Sequence, residues 1–537
     1  MVGIALGIAG LGYRLVMLLI DVPPSNSDEA TMGLAAMHIS EGRHWPAFFY
    51  GQHYMGTLEA YLAAPIFAWL GPSVLALRLP LLLLYAAFLV FLWVLTRWLY
   101  SPWLATFTVG LLALGSDRIL KNQLIGGGGY PEIDPLGVLL LLLSIGLALN
   151  RIRHRTVGYA AWGLIAGMLV WIQWLMMPYV VAAGVLLLAS TRRQMLRRGH
   201  LSVLALLGGF LLGVAPQLAH TLNTGHDPVS VFLNLSNGGQ AGWLDRLYGG
   251  TLFGLPMGTG MCMPSQCQPW QLWWGLAYPV LLVSAAVLAW RGLRRTTACA
   301  PLPGGSESDL ATGLPAWPAD RIRHAARLTL VVAAGVSLLS YVLSSAAGAT
   351  PVESARYLHG LLISTPALLW PLWQVASRSG TQTGSGAIAR TTRIGTSAAL
   401  AGVLCTALVA TVGLLKQAPD YRRLAEQRLD LVAILRVDDV QHIYADYWTC
   451  NSITFATSEE TICAVLGEDL RAGLDRYLPY RNQVASAPHP AFVLPAGSPL
   501  SAAVAEHIAE QGLDPHLRHI SGYDIYRPSQ RIGLPRP

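Results

Sequence analysis

Two adjacent carboxylates, Asp28 and Glu29, follow directly on the first apolar segment, in the stretch Ser25–Ala30. A carboxylate just past a membrane helix lies where a lipid-bound and a water-soluble substrate could meet. The alternative is structural, because Ser27 or Asp28 could cap a helix that begins near Ala30. A cap and a catalytic role are compatible, so we expect a functional carboxylate at Asp28.

A run of four glycines, Gly126–Gly129, precedes Tyr130, Pro131 and Glu132. Glycines let a backbone approach a ligand closely and expose its N–H groups, which suits a phosphate or a sugar. Glu132 and the nearby Asp134 add two carboxylates. The alternative is a flexible turn that returns the chain to the bilayer.

Arg356 and Tyr357 lie in the stretch Glu353–His359, at the start of a late apolar segment. A guanidinium at this depth could pair bidentately with a lipid phosphate. The alternative is an ordinary interfacial anchor of Arg and Tyr. Arg14, inside the first apolar segment, is a costly charge and is expected to be functional or to face the bundle interior.

His53 and Tyr54 belong to a fourth polar stretch, Tyr50–Glu59. His53 with Glu59 or Glu132 could hold a divalent cation. More commonly such a histidine forms hydrogen bonds only. No cofactor follows firmly from these residues, and a divalent metal ion stays open.

The elements that carry these residues are membrane helices. The chain has 537 residues, of which 53% are hydrophobic and 12% charged, and its mean hydropathy is +0.46. About eleven apolar runs of spanning length recur up to residue 415, at 2–20, 74–96, 102–117, 133–150, 157–173, 175–190, 201–220, 271–290, 326–345, 358–375 and 395–415. The sequence predicts a polytopic α-helical membrane protein.

The distribution of basic residues predicts the orientation. Most arginines fall in one set of alternate loops: Arg97, Arg151, Arg153, Arg155, Arg192, Arg193, Arg197, Arg198, Arg291, Arg294, Arg295, Arg321, Arg323, Arg327, Arg378, Arg390 and Arg393. By the positive-inside rule these loops are cytoplasmic. The N-terminus is then cytoplasmic, and Asp28, Glu29 and the residues after 415 lie outside. The net charge of +7 thus reflects topology, and we expect no nucleic-acid partner.

We therefore predict a transmembrane domain over 1–415, with a first outer loop at 21–72 and another at 221–270. Residues 416–537 read as a small extracytoplasmic α/β domain of about 120 residues. Strands are predicted at 441–448, 452–457, 461–466, 491–494 and 518–526, and a helix at 501–510. An oxidising exterior permits the disulfides Cys262–Cys267 and Cys450–Cys463. The alternative is that these cysteines are plain thiols.

The order of these motifs resembles the GT-C integral membrane glycosyltransferases. The matching residues are the acidic pair after span one, the stretch Phe49–Ala60, and Leu77–Pro80 at span two, followed by Gly129–Glu132 and Arg356–Leu358. The closest resemblance is to the bacterial glycosyltransferase family 39 and RgtA-like group, relatives of protein O-mannosyltransferases and aminoarabinose transferase. It covers roughly residues 1–375.

The resemblance implies an inverting hexosyl- or pentosyltransferase that takes its sugar from a polyprenyl phosphate. Its acceptor would be a glycan, protein or lipid hydroxyl at the outer face of the cytoplasmic membrane. Asp28 would be the general base, with substrate contacts from a wider set: Glu29, Tyr54, Glu59, Gly129, Tyr130, Glu132, Arg356 and Tyr357. Arg356 or a cation would stabilise the leaving phosphate, and Glu29 and Glu132 would orient the acceptor or hold that cation. Glu132 and Arg356 are accordingly expected near Asp28.

Where some relatives have a Lys-Pro-Pro type stretch in the first loop, this chain has His53-Tyr54-Met55. Metal dependence and donor contacts therefore do not carry over from those relatives. The alternative function is that of a polytopic transporter or of a lipid or glycan flippase, which also has many spans and buried charges. Transporters often show internal repeats, and none is evident between the halves of this chain.

Overall fold

The structure is a computed structural model, and it describes residues 1–197, 200–227, 241–264, 266–298, 317–377, 387–514 and 516–534. Part of the predicted outer loop at 221–270 lies outside these ranges. The helices in chain order are α1 Val2–Leu19, α2 Ser27–Ser40, α3 Leu58–Leu70, α4 Val74–Leu99, α5 Pro102–Ala113, α6 Asp117–Leu124, α7 Tyr130–Ala148, α8 Arg155–Ile172, α9 Met177–Arg197, α10 His200–Thr224, α11 Trp243–Tyr248, α12 Leu255–Gly258, α13 Trp273–Ala298, α14 Ala319–Leu343, α15 Ala346–Ala349, α16 Pro351–Ser354, α17 Thr365–Ala376, α18 Ala387–Val437, α19 Tyr447–Ala456, α20 Leu478–Ser486 and α21 Pro499–Glu510. Short 3-10 helices cover Trp174–Met176, Pro269–Leu272 and Ala355–Ser364, and a π-helix covers Gly249–Gly254.

Nine helices within these ranges are long and apolar enough to cross a membrane, and the bent pair of α5 and α6 makes ten. The sequence predicted about eleven. The difference falls at 358–375, which is divided between the 3-10 helix Ala355–Ser364 and the 12-residue α17. Pro366 lies at the start of α17, where its missing N–H costs nothing and a new helix begins.

Arg14 binds backbone carbonyls that are left free at the bend of 94° between α5 and α6. A helix end leaves backbone carbonyls without partners, and these are costly in an apolar environment. The buried Arg14 guanidinium donates to the Ala113 carbonyl (2.9 Å) and to the Gln123 side chain (2.9 Å), and it lies 3.7 Å from the centre of the Tyr85 ring. This charge in the membrane thus faces the bundle interior, as predicted, and binds dipoles rather than a carboxylate.

The chain forms two compact units. One comprises residues 1–14, 82–123 and 130–415, and the other residues 15–81, 124–129 and 416–537. The predicted division into domains 1–415 and 416–537 stays a proposal, since residues 416–537 pack with the first loop.

In the helical unit, α8 and α10 pack closely through glycines spaced four residues apart. A Cβ added at Gly163 would lie 2.0 Å from the Leu206 carbonyl oxygen, and one at Gly213 would lie 2.3 Å from that of Leu164. Small residues at such spacing let membrane helices approach each other backbone to backbone. The disulfide Cys262–Cys267 also belongs to this unit.

The second unit contains a five-stranded sheet in the order β2-β1-β3-β5-β4. Its strands are β1 His442–Ala445, β2 Ile462–Val465, β3 Ala491–Pro495, β4 Leu517–Ile520 and β5 Tyr523–Tyr526. Strand β1 pairs in parallel with β2 and β3, whereas β5 pairs antiparallel with β3 and β4. The strand predicted at 452–457 is wrong, because these residues continue helix α19, which Asp446 caps through the Trp448 N–H. The predicted disulfide Cys450–Cys463 joins α19 to β2.

Candidate active site

Helix α2 carries the acidic pair, and its cap is neither of the residues that the sequence suggested. Asn26 is the N-cap, and its side chain accepts from the Glu29 N–H at 2.9 Å. Twelve of the fourteen residues of α2 are buried, and Asp28 is one of the two exceptions. Because Asn26 satisfies the helix end, the Asp28 carboxylate is available for other contacts.

The Asp28 carboxylate is held through one oxygen. The hydroxyl of Tyr447 donates to Oδ1, and Nη2 of Arg476 lies 3.4 Å from the same atom. The second oxygen, Oδ2, accepts no hydrogen bond from the residues that the structure describes. The side chain of Asp28 is 25% exposed. Its Oδ2 is therefore oriented by the contacts on Oδ1 and accessible to an incoming group.

The sheet supplies both partners. Tyr447 follows the carboxyl end of the parallel strand β1 by two residues, and Arg476 lies in the loop after β2. Arg476 donates from Nε to the Tyr447 hydroxyl at 2.7 Å, and its guanidinium lies 5.1 Å from the centre of the Phe49 ring. Burial, and next the charge of Asp28, raise the pKa of the Tyr447 phenol. Tyr447 therefore stays protonated and donates its hydrogen to Asp28.

Close packing fixes the backbone of Arg476 against the first loop. Gly51 has φ +72°, and a Cβ there would lie 3.2 Å from the Arg476 carbonyl oxygen. A larger residue would be strained by the backbone conformation and would also crowd Arg476. The neighbouring Asp475 accepts from the Val465 N–H at 2.8 Å, which ties the same loop to β2.

Glu29, next to Asp28 on the helix, has a different environment. It is fully buried, and Nε and Nη2 of Arg78 donate to its two oxygens at 2.7 and 2.6 Å. This is the bidentate geometry of a strong guanidinium–carboxylate pair. Arg78 was not among the predicted site residues, although it lies in the stretch Leu77–Pro80 that carried the resemblance. A substrate contact for Glu29 stays a prediction.

The carboxylate of Glu59 is hydrogen-bonded to the backbone of the glycine run. The N–H groups of Gly128 and Gly129 donate to the two oxygens of Glu59 at 3.2 and 2.9 Å. Both glycines have positive φ, +105° and +87°. The exposed amides predicted for a phosphate or sugar therefore bind a carboxylate of the protein itself.

His53 and Tyr54 are half-buried in the loop before α3. A backbone bond from the Phe49 N–H to the Met55 carbonyl at 2.8 Å closes this loop. Over the described ranges, no group of three His, Cys, Asp or Glu side chains could hold a metal ion. A divalent cation at His53 and Glu132 stays a prediction without structural support.

The far end of α2 is fixed by a buried polar network that the sequence did not suggest. His38 lies with Nδ1 2.7 Å from the Tyr50 hydroxyl and Nε2 2.9 Å from Oε1 of Glu459. Tyr480 donates to the same carboxylate at 2.6 Å, and Arg43 also pairs with it. Burial acts to raise the pKa of Glu459, but these hydrogen bonds outweigh it and lower the pKa to about 2.

The remaining predicted residues lie in the helical unit, at the starts of α7 and of the 3-10 helix Ala355–Ser364. The Arg356 guanidinium lies 5.8 Å from the centre of the Tyr130 ring and 5.7 Å from that of Tyr357. Glu132 is fully buried in the first turn of α7. Two residues further on, Oδ2 of Asp134 lies 3.1 Å from Nε2 of the buried His359.

Comparison with solved structures connects this architecture to known proteins. The chain is similar to ArnT from Cupriavidus metallidurans bound to undecaprenyl phosphate, with 12% identity, a TM-score of 0.56 and 97% of each chain covered. The apo state of that protein gives a TM-score of 0.53 at the same identity and coverage. The apo oligosaccharyltransferase of Archaeoglobus fulgidus gives a TM-score of 0.45 at 13% identity, over 86% of this chain and 64% of the other. No protein-family model and no curated protein matches the sequence.

The likeness to the two ArnT structures shows the fold. The chain is a multi-pass membrane protein of the GT-C type with a small C-terminal sheet, as the sequence predicted.

Proposed function

We propose that this protein is an inverting glycosyltransferase that moves a sugar from a polyprenyl phosphate to an acceptor hydroxyl. The observation that carries the proposal is the Asp28 carboxylate, oriented through Oδ1 and open at Oδ2, in a chain with the fold of ArnT. The ArnT structure holds undecaprenyl phosphate, which supports a polyprenyl-phosphate donor here.

Asp28 is proposed as the general base. A hydroxyl is a weak nucleophile until a base takes its proton, and a positioned base typically contributes about 10²–10⁴-fold in rate. Oδ2 accepts the proton of the acceptor hydroxyl while the hydroxyl oxygen attacks the anomeric carbon of the sugar. The bond from that carbon to the phosphate oxygen breaks, and polyprenyl phosphate leaves with the electron pair.

Tyr447 and Arg476 are proposed as positioning residues. Their two contacts on Oδ1 fix the carboxylate plane, so that Oδ2 does not have to be ordered when the acceptor arrives. Arg356 is proposed to stabilise the leaving phosphate, because guanidinium matches phosphate geometry and charge. The proposed substrate-binding residues are Tyr54, Glu59, Gly129, Tyr130, Glu132 and Tyr357. Of these, Glu59 and Gly129 are joined by a hydrogen bond and would contribute as a pair.

The proposed location is the cytoplasmic membrane, with the N-terminus inside and the sheet outside. The positive-inside distribution of arginines supports this orientation. It puts the reaction outside, where nucleotide sugars are absent and a lipid carrier is the natural donor. We propose a hexose or pentose as the sugar and a glycan, protein or lipid as the acceptor, and a panel of donors and acceptors distinguishes these cases.

The test is incubation of the purified protein with a panel of polyprenyl-phosphate sugars and candidate acceptors. We expect release of polyprenyl phosphate, a product with inverted anomeric configuration, and loss of about 10²–10⁴-fold in kcat for Asp28→Asn. Turnover by Asp28→Asn equal to wild type would remove Asp28 as the base. Absence of turnover with every donor, together with lipid or glycan flipping in vesicles, would favour the transporter instead.

A further inference from the structure

A cavity in the helical unit has no role in the proposed reaction. Its volume is about 360 Å³, and it lies between the last turns of α13 and the first turns of α14, with α17 and the end of α4 as further walls. These helix ends belong to the arginine-rich loops that the sequence predicts to be cytoplasmic.

The cavity is lined by cationic side chains. Arg291 and Arg295, one turn apart on α13, are both exposed and line it together with His324 and Arg327 of α14. Within the described parts of the chain, neither Arg291 nor Arg295 forms an ion pair. Asp320, the acidic residue in the first turn of α14, pairs with Arg323 at 2.7 Å. The cavity therefore carries positive charge that no carboxylate of its lining neutralises.

His324 adds a buried polar atom to the same wall. Its Nδ1 is buried and makes no hydrogen bond among the described residues. The imidazole packs directly on Gly292, where an added Cβ would lie 2.2 Å from Nδ1. A buried nitrogen without a partner is costly, and the imidazole adds a polar ring to this wall of the cavity.

Arg327 and two aromatic rings give the cavity a fixed wall. Arg327 donates from Nε to the Leu99 carbonyl at 2.7 Å, which ends α4. Its guanidinium lies 4.8 Å from the centre of the Tyr100 ring and 5.2 Å from that of Trp370. The lining continues into the bundle with apolar residues such as Ala285 and Val331.

We propose that this cavity binds the phosphate group of an anionic membrane lipid. Arginine forks match phosphate oxygens in geometry and charge, and basic pockets between membrane helices on the cytoplasmic side suit lipid head groups. Tyr and Trp prefer the same interfacial depth. The apolar continuation favours a lipid over a soluble phosphate, since it accepts the start of an acyl chain. This proposal does not depend on the transferase activity.

The test compares lipid binding by two double variants with matched charge changes. Arg291→Gln with Arg295→Gln alters the cavity. Arg294→Gln with Arg321→Gln is the control, because these arginines lie nearby but stack on Trp290 (4.7 Å) and Trp317 (4.4 Å) outside the lining. The full-length proteins are titrated separately with phosphatidylglycerol, phosphatidylcholine and inorganic phosphate. Native mass spectrometry counts the lipid molecules bound to each protein. The rise in melting temperature on adding each ligand measures how much that ligand stabilises the fold.

We expect wild type and control to bind phosphatidylglycerol in preference to phosphatidylcholine, and the cavity variant to bind it about tenfold more weakly. Equal binding of both lipids, or equal loss in the control, would overturn the proposal. If inorganic phosphate raised the melting temperature as much as phosphatidylglycerol does, the claim that the bound phosphate belongs to a lipid would be overturned. Both arginines are exposed, so folding should persist. If the double variant does not fold, the single variant Arg295→Gln takes its place.

Discussion

Asp28 and Glu29 are neighbours in the chain and opposites in their surroundings. Successive helical residues point about 100° apart, so the two carboxylates meet different partners. Asp28 is partly exposed and has one oxygen without a hydrogen bond among the described residues, whereas Glu29 is fully buried with both oxygens on Arg78. The first arrangement suits proton transfer, and the second suits holding α2 in place.

The difference shows that adjacent acidic residues can have unlike surroundings, and it is the reason why we propose the catalytic role for Asp28 alone. A buried ion pair that is broken by removal of one partner leaves an uncompensated charge, which costs about 3–5 kcal/mol. Asp28→Asn keeps an oxygen that can accept from Tyr447 and buries no unpaired carboxylate, so it should cost little stability. The two roles can therefore be separated by measuring stability and activity on the same variants.

The largest effect on stability is expected from Arg78→Met. It removes both hydrogen bonds to Glu29 and leaves that carboxylate buried without its counter-ion, which should cost about 3–5 kcal/mol of unfolding free energy. Denaturation of the purified protein, followed by loss of helical signal, measures this cost.

Its control is the double variant Arg78→Met with Glu29→Leu, which removes both charges. We expect it to recover much of the lost stability, since replacing a whole buried pair by apolar residues is often neutral. A double variant no more stable than Arg78→Met would contradict the assignment of Glu29 and Arg78 as a structural pair.

An intermediate effect is expected from Glu459→Gln, which weakens the network at the far end of α2. The pKa of Glu459 is lowered to about 2, below the ordinary value near 4.5. Its stabilisation is therefore present above about pH 4.5 and is lost as the pH falls toward 2. We expect about 2 kcal/mol of destabilisation at pH 7, shrinking in acid, as measured by melting temperature against pH.

Glu460→Gln is the matched control, because the pair of Glu460 with Arg436 is exposed on both sides and should contribute little. The control shows whether the loss of stability in acid belongs to the network around Glu459 or to any surface carboxylate. A constant difference between wild type and Glu459→Gln from pH 7 to pH 3 would contradict the role of Glu459.

The smallest effect is expected from Tyr447→Phe. It removes one hydrogen bond to Oδ1 but leaves Arg476, so kcat should fall about fivefold with stability nearly unchanged. Steady-state kinetics under saturating donor measure the change. An unaltered kcat would show that Asp28 does not need this orientation.

The membrane class and most strands were predictable because their signals are local. The length of an apolar run indicates a membrane span, and short runs rich in β-branched and aromatic residues indicate strands. The second signal correctly predicted β1, β2 and β3, which are buried almost throughout. The strand prediction at 452–457 was wrong because β-branched and aromatic residues favour a strand, whereas the Asp446 cap and burial against α2 stabilise a helix. Phe455 packs within 2.5 Å of where a Gly33 side chain would begin, a constraint that no local pattern contains.

The site was predictable only in part for the same reason. The position of Asp28 after a membrane helix singled it out, but Tyr447 and Arg476 lie 419 and 448 residues away in the chain. Nothing in their own neighbourhoods marks them, because both follow ordinary strands. The Asn26 cap was the nearest missed signal, since Asn is as good a cap as Asp.

The central claim is that Asp28 performs chemistry and Glu29 holds structure. Its most direct test measures kcat per folded molecule and unfolding free energy for Asp28→Asn and Glu29→Gln in parallel. We expect Asp28→Asn to lose about 10²–10⁴-fold in kcat with near-native stability, and Glu29→Gln to lose stability while folded molecules keep most of their kcat. The reverse pattern, with Glu29→Gln inactive at native stability and Asp28→Asn active, would contradict the claim.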